Sequence, residues 1–73
     1  MYDFSRLKGR IKEFYGNQDY FADELGITRQ SLNYKLNNRT RFSFDELKQM
    51  IDKLEIQPEE INDIFFKEKV GKR

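Results

Sequence analysis

Gln30, Asn33 and Asn37 stand about one helical turn apart, opposite Leu32 and Leu36, and Arg29 leads them. The chemistry open to this set is recognition by hydrogen bonding. A guanidinium pairs bidentately with guanine and a carboxamide with adenine, and both reach phosphate oxygens. A helix that only faced water would more often carry glutamate and lysine there. Catalysis has few means in this chain. There is no histidine and no cysteine, which removes the usual general base, most zinc sites and any disulfide or thiolate–metal staple. The acids are scattered along helix surfaces, at caps and solvent positions where they normally sit. No enzyme, active site or cofactor is expected.

Two short helices joined by a tight turn must position that face. Ala22 sits where two helices cross closely and a larger side chain would push them apart. Gly26, four residues on, supplies a turn that a Cβ would strain. Thr28 caps the following helix, and Leu32 plugs the angle between the two. Around this corner the periodicity predicts a nearly all-helical chain. Phe4, Leu7, Ile11 and Phe14 form the stripe of a first helix, capped by Asp3 or Ser5 and ended by Gly16. Asn17 caps the second, with Phe21, Ala22 and Leu25 inward. Asn37 and Asn38 close the third. Ser43 and Glu46 form a capping box for the fourth, with Phe42 and Leu47 as its hydrophobic staple. Phe44, Leu47, Met50, Ile51 and Leu54 are its expected buried stripe. Pro58 suits the first position of a short fifth helix, with Ile61 and Ile64 inward. Asp63 to Phe66 is a possible short extended tail.

Length and charge bound the rest. With 73 residues the chain is one small domain over residues 1–68, followed by a frayed basic tail at 69–73. No apolar run approaches the roughly 20 residues needed to cross a bilayer, and no signal-peptide pattern opens the chain, so a cytoplasmic location is expected. Net charge is only +1, but it is unevenly spread. Leu25 through Phe42 holds four bases and no acid, whereas Ser43 through Glu68 holds eight acids against three bases. A basic middle and an acidic back half give one face suited to an anionic partner.

Gln18, Ala22, Gly26, Ile27 and Leu32 together resemble the pattern of the phage Cro/repressor family of helix-turn-helix proteins, over roughly residues 4 to 64. The resemblance implies an all-α, compact five-helix fold of the lambda-repressor type. It also implies roles: Gln18 on a backbone phosphate, Arg29, Gln30, Asn33 and Tyr34 on bases, and Asn37, Asn38 and Arg39 on phosphates. Arg41 joins them as a phosphate contact whose worth falls steeply with salt. Two departures stand out. Asn38 replaces the glycine many members carry there, and the chain is too short for the separate oligomerisation domain of the larger repressors, which favours a Cro-like reading.

The expectation is therefore a transcriptional regulator. Its third helix enters the major groove, and two copies read a pseudo-palindromic double-stranded operator with their recognition helices about 34 Å apart. Ile64, Phe65 and Phe66 are the candidate contact of a homodimer formed at least on DNA. The alternative is a helix-turn-helix modulator that binds a partner repressor protein and masks it, in keeping with near-neutral charge and many aromatics. Such a protein should expose apolar residues on the third helix, where only Tyr34 qualifies.

Overall fold

Three helices begin where a polar side chain takes a backbone N–H that the first turn cannot satisfy by itself. Asn17 accepts from Tyr20 at the head of α2 (Gln18–Leu25), and Thr28 accepts from Ser31 at the head of α3 (Arg29–Leu36). Ser43 and Glu46 form a reciprocal capping box at the head of α4 (Phe44–Lys53). Each such cap is worth about 1 kcal/mol. The first helix, α1 (Ser5–Tyr15), starts differently. Phe4 holds the cap position, and Asp3 reaches from outside to accept from the backbone N–H and the hydroxyl of Ser5 at 3.0 and 2.6 Å. Those bonds hold the Asp3 carboxyl below its ordinary pKa. The computed structural model describes residues 1–70. The far end of the expected basic tail, 71–73, lies outside the described residues.

Among the described residues there are five α-helices, as the periodicity anticipates, with a 3₁₀ turn at Pro58–Glu60 leading into α5 (Ile61–Phe65). The segment considered as an extended tail is thus largely helical. Packing centres on α2, which lies against α1, α3 and α4. Ala22 is fully buried there, beside Phe21, Leu7, Ile11, Leu32 and Met50. Gly26 adopts φ +74° and donates its N–H to Ala22 and Asp23, while Ile27 donates to Ala22 at 3.1 Å. This left-handed closure turns the chain sharply from α2 into α3.

Two residues expected in buried stripes are exposed. Phe44 is 76% exposed and Phe14 41% exposed. Phe44 is the first residue of α4, so its Cβ points back past the end of the core, beside a place Phe42 already fills. Phe14 lies beneath the Arg10 guanidinium, 5.7 Å from the ring centre. In α5, Ile64 and Phe65 are buried, which leaves Phe66 as the exposed member of the patch expected to join two copies.

Arg10 ties α1 to the C-terminal half instead of standing free in solvent. It donates to the Leu54 carbonyl at 3.0 Å and to Glu60 at 2.7 Å. The two ends of the described chain also meet. Asp3 donates its N–H to the Lys67 carbonyl at 2.7 Å and Lys69 donates to Met1 at 3.0 Å, around a bridge between Tyr2 and Glu68.

Candidate interaction surface

The α2–α3 corner brings the expected recognition residues to one exposed edge, but it brings acids with them. Arg29, at the first position of α3, extends back across the turn to α2. Its guanidinium lies 3.3 Å from Asp23 and 3.8 Å from Asp19. The hydrogen bond to Asp23, then the charges of Asp23 and Asp19, raise the guanidinium's pKa. All three side chains remain exposed, so the pairing is easily exchanged with water. The sign of the edge is the durable consequence, because Asp19 and Asp23 stay beside the head of α3 whichever way Arg29 swings.

Other polar groups of α3 are also engaged within the chain. Gln30 donates to the Tyr34 hydroxyl at 2.7 Å, and Asn37 donates its amide to the Asn33 carbonyl at 2.8 Å. Lys35 is largely covered, 3.4 Å from Glu46 and 3.2 Å from the Arg41 carbonyl. Gln18 is half-buried at the first position of α2, over a shallow depression shared with Lys8 and Lys12.

The loop after α3 has a different character. Arg39 stacks on the Tyr34 ring at 4.6 Å, and neither Arg39 nor Arg41 has a carboxylate within ion-pair distance among the described residues. Asn38 adopts φ +65°, the conformation for which a glycine is usual. Its side chain also accepts from the Tyr2 N–H and donates to the Tyr2 carbonyl, both at 2.9 Å. Glycine would keep the turn and lose that two-point clasp to the N-terminal segment. The Asp19–Arg29–Asp23 cluster is not visible in the charge of Leu25–Phe42, because its acids lie on α2. The sequence signal was the spacing of six and ten residues across a glycine turn.

A family described as "Protein of unknown function (DUF739)" matches residues 1–68. The chain belongs to that family. This DUF739 chain is also similar to the modulator of repression (MOR) of the temperate bacteriophage TP901-1 from Lactococcus lactis, known from a solution structure. The two are 36% identical, with a TM-score of 0.78 over 96% of this chain and 95% of that one. No curated protein matches the chain by sequence. The family shown is thus DUF739, and membership of the Cro/repressor family is not shown. Among the described residues of this DUF739 protein, no helix is long and apolar enough to cross a membrane.

Proposed function

We propose that this chain is a non-enzymatic regulator of phage-type repression that acts by binding a partner repressor protein rather than operator DNA. The observation that carries the reading is the placement of Asp19 and Asp23 beside Arg29 at the head of α3. In helix-turn-helix proteins that read DNA, the heads of the second and third helices approach the duplex. Here that edge exposes Asp19 and Asp23, and its leading arginine is already matched by carboxylates. Binding to DNA rests on neutralising phosphates, and this edge brings negative charge to them. A repressor presents a cationic surface to its operator, and an acidic helix edge is complementary in sign to it. The similarity to a protein named a modulator of repression supports the same reading.

Sequence-specific DNA binding by a homodimer is the second reading. It is favoured by Arg39 and Arg41, whose loop is free of paired carboxylates. The test is a parallel titration. Fluorescence anisotropy with a mixed-sequence duplex at low salt should show no steeply salt-dependent complex, while a helix-turn-helix repressor encoded in the same genome should bind. Asp23→Lys should weaken the repressor complex. A tight, salt-sensitive duplex complex with no repressor binding would select the second reading instead.

A further inference from the structure

Beside the clasped ends lies a groove of about 360 Å³, built from elements other than the α2–α3 edge. Its walls are rings and aliphatic side chains. Tyr2 meets Phe66 edge-on at 6.0 Å and Phe4 at 6.0 Å, and Phe4 meets Phe42 edge-on at 5.6 Å. Leu47 closes one side. Phe66 is 45% exposed and Tyr2 36% exposed, so apolar surface stays open to water although the core nearby is filled. The volume is at the lower end of ligand-sized clefts, about 300–1,000 Å³, enough for a bulky side chain with its flanking backbone. Of the side chains lining it, Arg41 alone is charged. The Met1 ammonium, also at the rim, is already paired with Glu68 at 3.2 Å. Apolar walls with one guanidinium that meets no carboxylate among the described residues are complementary to an apolar side chain next to a carboxylate. Asn38 holds the Tyr2 wall in place from the loop that carries Arg41, so wall and charge move together.

We propose that this groove docks a short acidic segment of a partner protein, seating a bulky apolar side chain among Tyr2, Phe42 and Phe66 and setting a carboxylate against Arg41. The site is separate from the acidic α2 edge and does not depend on what that edge binds. A single-stranded nucleic acid fits less well, because one guanidinium serves a carboxylate but not a run of phosphates.

The experiment titrates the ¹⁵N-labelled full chain with acetyl-Asp-Phe-Asp-amide, acetyl-Lys-Phe-Lys-amide and a short oligothymidylate. The acidic peptide should shift the amides of Tyr2, Phe42 and Phe66 saturably and bind several-fold more tightly than the basic one. Arg41→Gln should lower its affinity about three- to fivefold, the range of an exposed ion pair, and bring the two peptides together. Phe66→Ser should weaken both peptides. Both side chains are exposed, so the variants should keep a dispersed amide spectrum that reports an intact fold. Absence of shifts, shifts centred elsewhere, equal affinity for the two peptides, or preference for the oligothymidylate would each overturn the proposal.

Discussion

At the α2–α3 corner Arg29 is held between two carboxylates, whereas in the loop after α3 Arg39 rests on a tyrosine ring and Arg41 faces no carboxylate among the described residues. Both regions carry arginine and amide side chains, and both would score alike on residue type. Their difference lies in what the fold delivers to them. The corner receives the exposed acids of α2 across the Gly26 turn, and the loop receives Tyr2 and Phe66 from the chain ends. Cation content alone therefore does not mark a phosphate-binding face. The neighbours that tertiary structure supplies decide its sign.

The largest expected effect removes the frame both regions share. Leu32 is fully buried at the corner, and Leu32→Ala should cost about 2–5 kcal/mol, measured by thermal or urea unfolding. A loss below about 1 kcal/mol would mean the corner is not held by packing. Next, the double variant Asp19→Asn, Asp23→Asn frees Arg29 without moving the backbone. Its affinity for a mixed-sequence duplex at low salt should rise about three- to tenfold, making the corner resemble the loop. Unchanged affinity would break the contrast drawn between them.

Asn38→Gly is a smaller and sharper test. It keeps the positive φ and deletes the clasp, so a side chain needed only for the turn predicts no loss. The clasp predicts faster amide exchange at Asp3 and Lys69, by about fivefold for a bond worth near 1 kcal/mol. The smallest effect is pH-dependent. The Gln57 N–H first, and Arg10 second, hold the Glu60 carboxyl below the ordinary value of 4.5. With the folded pKa below the unfolded one, this contribution is complete above about pH 4.5 and is lost as pH falls through the folded value. Glu60→Gln should flatten the acid limb of the stability curve, and an unchanged limb would remove Glu60 from that account.

Much of the fold was legible because its signals are local. Asn17, Thr28, the Ser43–Glu46 box and the Gly26 turn each act within a few residues, and the buried faces of α2 and α3 follow from spacing alone. Phe14 and Phe44 were misread because periodicity gives the direction of a face but not where the core beneath it stops. The site was harder for a related reason. That Arg29, Gln30, Asn33 and Asn37 share an outward helix could be read directly, but the acids answering Arg29 belong to another helix. The Tyr2–Phe66 wall joins residues from opposite ends of the chain, and no spacing rule reaches so far.

Arg10 gives the architecture an order in time. Asn17, Thr28 and Ser43 can finish their helix heads as soon as their own segments coil. The carbonyls of Leu54 and Glu55, at the tail of α4, have their donor on α1, more than forty residues earlier. That end of α4 stays unsealed until the first helix has docked. Native-state exchange should accordingly find the tail of α4 and the Pro58–Glu60 turn opening as one unit with the loss of α1 contact, while the head of α4 opens independently.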